Sequence, residues 1–502
     1  MILSEGRIKK SLAVLIALSA ILSGLVLVGT IPVRPRSEIL SQQQPPLIEF
    51  PLAQPNAYPL GIAVDAQGHV WFAEANTDLL VEFFPSNQSY ASFQIPTEPH
   101  LAMVWFLVFD RNGNLWFADP VQPLLWKFTP SKDAFANFTT EDQNLKPYGL
   151  AYDSLSNQIW FTSVYSNQLG AFQIDSNGNA QVIATVTLPT AGNGNTGPSG
   201  ITFGTNGKLY VSESFAGKIV EYDPSTGSFS HVWNLPEGSQ PVGIGVAKNG
   251  LIWFANHASS LIGYVNMTNG QVTEIATSLF QETVGSQIST TISLPYWLTV
   301  SNSGQVWFDE HYANRIARFD PKTYELVEFQ VPTNGSQPLR FHISETNQQL
   351  WFTEFAGNKL GQIDANASLG QTLASPRSIV LSQGKSSFVV NLPLSQISIA
   401  SFSGSLSYDG FLTSNLSISY SSLNSSATKV EISKGQNVIP GNYTLTVCPV
   451  NAELSLYKSC TVLLLSVEGS GNSSGVAIYL GIATTLLGAA LVSIMYFKKR
   501  RH

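Results

Sequence analysis

The sequence is poor in charged residues and in cysteine, and both shortages narrow what the chain can be. Asp, Glu, Lys and Arg make up 12% of its 502 residues, about half the usual share of a soluble domain. The net charge is −7 and no basic tract lies outside the termini, so nucleic acid is not an expected partner. Two cysteines, Cys448 and Cys460, exclude a disulfide-dense scaffold and a cysteine-rich zinc site.

Two long hydrophobic segments stand near the ends of the chain. Residues 11–33 carry no charge and follow a basic stretch, so residues 1–33 are typical of a signal peptide or a retained signal anchor. Residues 476–497 are apolar or small, are long enough to span a bilayer, and precede the basic run 498–501. Because basic flanks stay in the cytoplasm, residues 34–475 are predicted to lie outside the cell on a membrane-anchored chain.

A repeat fills the middle of the chain. Its first copy reads Pro-Leu-Gly-Ile-Ala-Val over 59–64 and Val-Trp-Phe-Ala-Glu over 70–74. An anchor aromatic recurs at spacings of 45, 44, 50, 43, 54 and 44 residues, at Trp71, Trp116, Trp160, Tyr210, Trp253, Trp307 and Trp351. Alternating β-branched and aromatic residues, broken by Gly or Pro, predict four short strands per copy and exclude a helical solenoid. Seven such units predict a seven-bladed β-propeller over residues 46–368.

The two ends of the repeat array complement each other. The last copy ends at Asp364 without a fourth strand. A strand-like segment, residues 47–52, precedes the first copy and resembles the outer strands at 327–332 and 232–236. We predict that this segment completes blade seven, so that the seam leaves no unpaired edge.

Beyond the repeats, residues 375–468 are rich in serine and patterned as short strands, with strict alternation over 440–447. This pattern predicts an immunoglobulin-like β-sandwich acting as a stalk, although the Cys and Trp signature of that fold is missing. Cys448 and Cys460 are predicted to form a disulfide between neighbouring strands outside the cell. The predicted fold class is therefore all-β, with a transmembrane helix at each end of the chain.

The repeat resembles that of the streptogramin B lyase (virginiamycin B lyase) propellers. Its motifs are Pro-x-Gly-Ile-x-Val, Trp-Phe-x-Glu and Asn-Lys-Leu-Gly-x-Ile-Asp, seen best at 351–354 and 358–364, and the resemblance covers about residues 47–366. It implies a lyase that opens a cyclic depsipeptide by elimination at an ester, using Mg²⁺ and a histidine base. It also implies that the working residues lie second in the first-strand tetrad Pro-His-x-Ile and at the Glu of Trp-Phe-x-Glu.

The histidine position of that tetrad is occupied otherwise in this chain, by Leu60, Trp105, Tyr148, Ser199, Val242 and Tyr296. In blade seven, His342 lies one or two places from the motif. In blade six, His311 stands beside Glu310, and His257 takes the matching place in blade five. His342 and His311 are the candidate catalytic bases, since a base must lie within hydrogen-bond reach of its proton.

The position of the family glutamate holds acids in five of the seven blades: Glu74, Asp119, Ser163, Glu213, Asn256, Glu310 and Glu354. Two interpretations stay open. Each acid accepts backbone hydrogen bonds in its own loop, or the ring binds a divalent cation, for which oxygen ligands suit Mg²⁺ or Ca²⁺. On the second interpretation the candidate metal ligands are Glu310, Glu354, Glu74 and Glu213.

Four aromatic residues, Trp105, Tyr148, Tyr296 and Trp297, are predicted to enter the first strands of their blades near one mouth of the ring. They form core, or they form a platform for a peptide, a glycan or a small molecule. The favoured interpretation is a cell-surface binding or scaffold module with an extracellular ligand. The alternative is a divalent-metal-dependent lyase of the streptogramin B type, or a calcium-dependent lactonase.

Overall fold

The computed structural model describes residues 47–97, 102–190, 194–278, 280–284, 287–291, 293–344 and 346–366, and in the C-terminal part 374–375, 378–381, 385–390, 397–402, 416–434, 441–449 and 457–467. The hydrophobic segments 11–33 and 476–497 lie outside these residues. Among the residues that are described, no helix is both long enough and apolar enough to cross a membrane.

Seven antiparallel blades of four strands follow one another along the repeats, as the spacing of the anchor aromatics predicts; six of them are separate four-stranded sheets, and the strands of blade six belong to an eight-stranded sheet. The first strand of the chain is β1 Leu47–Pro51. Blades one and two contain β2 Pro59–Val64, β3 Val70–Glu74, β4 Leu79–Phe84, β5 Ser89–Gln94, β6 Leu107–Phe109, β7 Leu115–Ala118, β8 Leu124–Thr129 and β9 Ala134–Thr139, with a 3₁₀ turn at Pro130–Lys132. Blades three and four contain β10 Leu150–Asp153, β11 Gln158–Ser163, β12 Gln168–Ile174, β13 Ala180–Thr187, β14 Pro198–Phe203, β15 Leu209–Glu213, β16 Lys218–Asp223 and β17 Ser228–Asn234.

The remaining blades follow the same order. Blade five contains β18 Pro241–Val246, β19 Leu251–Asn256, β20 Leu261–Asn266 and β21 Val272–Ala276. A separate two-stranded hairpin consists of β22 Phe280–Val284 and β23 Gln287–Thr291. Blades six and seven contain β24 Pro295–Val300, β25 Val306–Glu310, β26 Arg315–Asp320, β27 Glu325–Gln330, β28 Pro338–Ile343, β29 Gln349–Glu354 and β30 Lys359–Asp364.

The blades close into a ring. The first strands contact one another in sequence, from β2 through β6, β10, β14, β18, β24 and β28 back to β2, and they therefore surround its middle. All seven anchor aromatics are at most 3% exposed. They pack between neighbouring blades. The ring centre of Trp71 lies 5.7 Å from that of Phe128 in blade two, and the ring centre of Trp351 lies 5.7 Å from that of Phe83 in blade one. Apolar side chains buried between sheets hold the ring together.

The predicted closing strand is confirmed. β1 pairs antiparallel with β30, with Leu47 opposite Ile363, and becomes the outer strand of blade seven. The side chain of Leu47 is 3% exposed. The Glu49 carboxylate lies 2.6 Å from the Lys359 amine and accepts the backbone N–H of Thr333 at 2.8 Å. The two ends of the propeller are thus joined by a ladder, an apolar contact and an ion pair.

The C-terminal strands form two sheets. They are β31 Ala374–Ser375, β32 Ser378–Leu381, β33 Lys385–Val390, β34 Ile397–Phe402, β35 Leu416–Asn424, β36 Ala427–Lys434, β37 Gly441–Pro449 and β38 Tyr457–Val467. One sheet has the order β31-β33-β36-β35, and the other joins β32, β38, β37 and β34. Phe388, Val430 and Leu465 belong to one buried core that draws on both sheets. The all-β character is confirmed, and the immunoglobulin-like topology stays a prediction.

The second of these sheets continues the propeller. β38 pairs antiparallel with β27, the last strand of blade six, with Leu326 opposite Cys460. The hydroxyls of Thr444 and Thr446 on β37 hydrogen-bond with the backbone of β21, the last strand of blade five. The C-terminal part therefore covers the outer edges of two blades, a continuity that no sequence pattern indicated and that differs from a free-standing stalk.

The predicted disulfide is confirmed as well. It joins Cys448 of β37 to Cys460 of β38, two strands that pair with each other. Both cysteines are buried and belong to the same core as Leu326 and Phe319 of blade six. The disulfide therefore links β37 to β38 at the place where the C-terminal sheet meets the propeller.

Candidate functional site

In each well-formed blade, the start of the first strand lies opposite the end of the second. Pro59 pairs with Glu74, and the same pairing recurs in blades four to seven. The register shifts directly after each of these pairs, so a β-bulge changes the direction of the side chains that follow the proline. The tetrads and the family glutamate position therefore share one end of the strands.

The third tetrad residue decides how closely neighbouring blades approach. It is glycine in blades one, three, four and five, where the next blade comes very near. A Cβ added to Gly149 would lie 2.2 Å from a carbonyl oxygen of the next blade, and one added to Gly200 would lie 2.4 Å from another. In blades two, six and seven the strand register puts Phe106, Trp297 and Arg340 at this position instead.

These three large side chains meet one another. The rings of Phe106 and Trp297 lie 5.1 Å apart at 83°. The guanidinium carbon of Arg340 lies 3.8 Å from the centre of the Phe106 ring and 3.7 Å from that of Trp297, so it fills the corner between them. Burial lowers the pKa of Arg340 to about 10, partly offset by Tyr148, Tyr296 and Asp309, and the side chain stays charged at neutral pH.

The second tetrad residues of three blades lie beside this corner. The Tyr148 and Tyr296 hydroxyl oxygens are 3.2 Å apart. The Trp105 ring lies 5.9 Å from Tyr296 and 6.4 Å from Tyr148. The four aromatics thus lie near one mouth of the ring, as predicted. We call the whole group the central cluster: Trp105, Phe106, Tyr148, Tyr296, Trp297 and Arg340.

Asp309 fixes two members of the central cluster. One carboxylate oxygen accepts the backbone N–H of Tyr296 at 3.1 Å and that of Trp297 at 2.5 Å. Burial raises the pKa of Asp309 well above its usual range, although the two backbone donors and Arg340 act against this. Asp309 therefore acts as a positioning residue for the first strand of blade six.

Two histidines lie next to the central cluster. His257 and His311 stack with ring centres 5.2 Å apart, and each meets the ring of Tyr296 edge to face. Burial lowers the pKa of His257 to about 3, with His311 adding to the effect. Burial likewise lowers the pKa of His311 to about 4. His311, a candidate base, therefore lies near the mouth of the ring, where its neutral imidazole stacks on the neutral imidazole of His257.

His342 lies elsewhere. It directly follows the tetrad of blade seven, because Pro338 pairs with Glu354 and Leu339 takes the second position, three residues before His342. His342 pairs with Trp351 along the strand, and burial lowers its pKa to about 4. Within the described residues, no hydrogen bond or ring contact joins the two candidate bases.

The four candidate metal ligands remain in four separate blades. Glu74 accepts the hydroxyl of Thr77 at 2.5 Å, and Glu213 accepts that of Thr190. Burial raises the pKa of Glu310 to about 7, with Glu328 adding to the rise and Arg315, Thr277 and Ser293 opposing it. Burial and Glu49 raise the pKa of Glu354 to about 8, against Lys359 and Ser336. Glu74 and Glu213 thus bond to hydroxyl groups, whereas both carboxylate oxygens of Glu310 and of Glu354 are buried without a hydrogen-bond partner among the residues that the structure describes.

One three-residue group in the described part of the chain is compact enough to hold a metal ion, and it is Asp65, His69 and Glu82 rather than the four glutamates. The Nδ1 atom of His69 lies 2.8 Å from Glu82, and Asp65 accepts the indole N–H of Trp71 at 3.1 Å. Asp110 accepts that of Trp116 in blade two at 2.8 Å, so the pattern anchors the tryptophan. The binding of Mg²⁺ or Ca²⁺ stays a prediction, and the four glutamates do not fit a shared site in this arrangement.

We expect Glu354→Gln to stabilise the chain at pH 9 and to change little at pH 4. The folded-state pKa of about 8 lies above the ordinary value of 4.5, so the stability that Glu354 contributes is present below pH 4.5 and is lost as pH rises through about 8. Glutamine cannot ionise, and we expect a gain of at least about 1 kcal/mol at pH 9. Urea unfolding at both pH values measures it. The exposed Glu237→Gln is the control, and an equal gain at both pH values would contradict the prediction.

A ring of seven four-stranded blades closed by an N-terminal strand defines a seven-bladed β-propeller. Residues 45–283 match the model of the Virginiamycin B lyase family. A solved streptogramin B lyase is 25% identical, with a TM-score of 0.53, over 63% of this chain and 96% of that one. The chain thus carries a virginiamycin B lyase-like propeller, and the resemblance read from its motifs is confirmed.

Other similar proteins agree on the fold. A virginiamycin B lyase of Nocardia farcinica (strain IFM 10152) is 35% identical over 75 residues, which are 15% of this chain and 25% of that protein. The match thus spans a quarter of the length of that relative. The virginiamycin B lyase of Staphylococcus aureus is 23% identical, with a TM-score of 0.53, over 63% of this chain and 98% of its own. A catalytically inactive histidine-to-alanine variant of the S. aureus enzyme has been crystallised with quinupristin.

Arg340 is the site residue that sequence reasoning missed. The signal was present, because three blades replace the third-position glycine with a large residue. Only the closed ring shows that these three residues face one another. The part of Asp309 in holding Tyr296 and Trp297 depends on the strand pairing, which the sequence alone does not show.

Proposed function

We propose that the chain is a ligand-binding β-propeller that keeps the lyase-like fold without the lyase's catalytic base. The observation that carries the proposal is the second tetrad position, which holds no histidine in any of the seven blades: Leu60, Trp105, Tyr148, Ser199, Val242, Tyr296 and Leu339.

The chemistry of elimination supports this proposal. Opening an ester ring by elimination needs a base to remove a proton, and a base works best when its pKa lies near the working pH. His257 and His311 have pKa values of about 3 and about 4, and each stacks on the other. The absence of a matched base costs a factor of about 10² to 10⁴ in rate.

The central cluster supports a binding role. Tyr148, Tyr296 and Trp105 present flat rings together with hydroxyl groups, and Arg340 adds a positive charge. Apolar surface with a few fixed polar groups is what ligand sites in proteins usually offer. The proposed ligand is an extracellular peptide, glycan or small molecule that places a ring or another flat group against these side chains.

The proposed location is the cell surface. It rests on the hydrophobic segments 11–33 and 476–497 with their basic flanks, which lie outside the described residues. On this proposal the propeller and the strands that cap it face outward, and residues 498–502 face the cytoplasm.

The test uses quinupristin, which the S. aureus relative binds in its crystal. Full-length protein with Mg²⁺ is expected to leave the ring of quinupristin closed when ring opening is followed by mass spectrometry. An active streptogramin B lyase, assayed in parallel, confirms that the substrate and buffer support the reaction.

Rapid ring opening that disappears in His311→Ala or His342→Ala would overturn the proposal and make the chain a lyase. The exposed His231→Ala is the matched control, because its ring lies on the outer strand β17 of blade four.

A further inference from the structure

Arg315 and Arg340, two of the buried arginines of this propeller, differ in whether they have hydrogen-bond acceptors. Arg315 is 6% exposed and donates to Ser278 at 2.7 Å and to Glu328 at 3.2 Å. Arg340 is 5% exposed, but within the described residues it has neither a hydrogen bond to an oxygen nor an ion pair. Its close neighbours are the rings of Phe106 and Trp297.

Aromatic rings do not replace an oxygen acceptor. A ring face attracts a cation, but the five N–H groups of a guanidinium form their strong bonds with oxygens. Burying such a group without an acceptor is costly, and buried charges in proteins are almost always paired. The two rings fix the position of the guanidinium in advance, which lowers the conformational entropy that the Arg340 side chain loses when a partner binds.

The neighbouring tyrosines add a second donor. The oxygens of Tyr148 and Tyr296 are 3.2 Å apart, so one hydroxyl proton lies between them. The other proton has no acceptor among the described residues. Burial raises the pKa of both tyrosines, and both therefore keep their protons at neutral pH. The charged guanidinium of Arg340 and a tyrosine hydroxyl without an acceptor in the described part of the chain thus lie near each other.

We propose that Arg340 receives a carboxylate group of the ligand, whose flat or apolar part lies against Tyr148, Tyr296 and Trp105. A carboxylate is planar and accepts the two parallel N–H groups of a guanidinium, which makes it the matching anion. This inference rests on the proposed function, since it places the ligand at the central cluster. It specifies the chemical class of that ligand.

Benzoate and benzamide test the proposal as a matched pair, because they have the same shape and differ in charge. Calorimetric titration of the full-length chain in detergent is expected to show benzoate binding, with benzamide at least about 10-fold weaker. Arg340→Met is expected to weaken benzoate by about the same factor. The control Arg318→Met removes a buried arginine that lies against Trp307, outside the central cluster, and it is expected to stay within about twofold of the wild type.

A second measurement does not depend on the variants. Benzoate is expected to raise the melting temperature of the wild type more than benzamide at the same concentration, because a ligand stabilises the state that binds it. Equal binding of the two compounds, no benzoate binding at millimolar concentration, or unchanged binding in a folded Arg340→Met chain would overturn the carboxylate site. Ring opening of quinupristin would overturn the proposed function alone.

Discussion

A chain of residues 44–366 is expected to aggregate, whereas a chain of residues 44–467 is expected to stay monodisperse. The shorter chain loses β38 and leaves the ladder positions of β27 unpaired from Glu325 to Phe329. Unpaired strand edges that carry apolar residues associate with one another.

The loss extends beyond one ladder. Cys460 and Val462 share a buried core with Leu326, Trp253 and other residues of blades five and six, and the truncation uncovers it. It also removes Thr444 and Thr446 from the backbone of β21. Size-exclusion chromatography with light scattering at matched concentration measures the result. Two chains that both elute as monomers with equal melting temperatures would show that the C-terminal sheet is dispensable.

Loss of the closing strand is expected to have the second largest effect. Deletion of residues 45–53 removes β1 from β30, the Glu49–Lys359 ion pair and the buried side chain of Leu47. The deleted chain is expected to melt at a lower temperature and to aggregate, because blade seven then presents an unpaired edge.

Two single substitutions in β1 test the packing of its side chains while leaving its pairing with β30 in place. Leu47 is 3% exposed and its neighbour Ile48 is 38% exposed. Leu47→Ala is expected to cost about 2–5 kcal/mol of unfolding free energy, whereas Ile48→Ala is expected to stay within about 0.5 kcal/mol of the wild type. Urea unfolding of both chains gives the comparison. Similar losses for the two variants would mean that β1 is not packed as described.

The blades could be predicted because their signals are local. Each repeat carries its own alternating strands, its turn and its anchor aromatic, and Trp71 lies in the same register of its blade as Trp351 does. The closing strand was predictable because a strand-like segment without a partner precedes blade one, while the last blade lacks a fourth strand. The pairing of β27 with β38 was not, because a ladder is built from backbone groups that every residue type shares.

The site was predictable in part. Its aromatics follow a repeated motif, and their shared mouth follows from the order of strands in a blade. The tetrad of blade seven is hard to recognise in the sequence because Leu339 and Arg340 take its second and third positions, and only the pairing of Pro338 with Glu354 reveals it. Arg340 depends on Phe106 and Trp297 from two other blades, and such a meeting exists only in the closed ring.

The closing strand also sets an order on biosynthesis. β1 is the first propeller strand to leave the ribosome, and its partner β30 is the last. Hairpins within blades one to six form from neighbouring segments as they emerge, and such local contacts form fast. β1 must wait, with Leu47 and Phe50 uncovered, until translation passes residue 364. During that interval the growing propeller carries an unpaired first strand, to which a chaperone that binds extended apolar segments could bind.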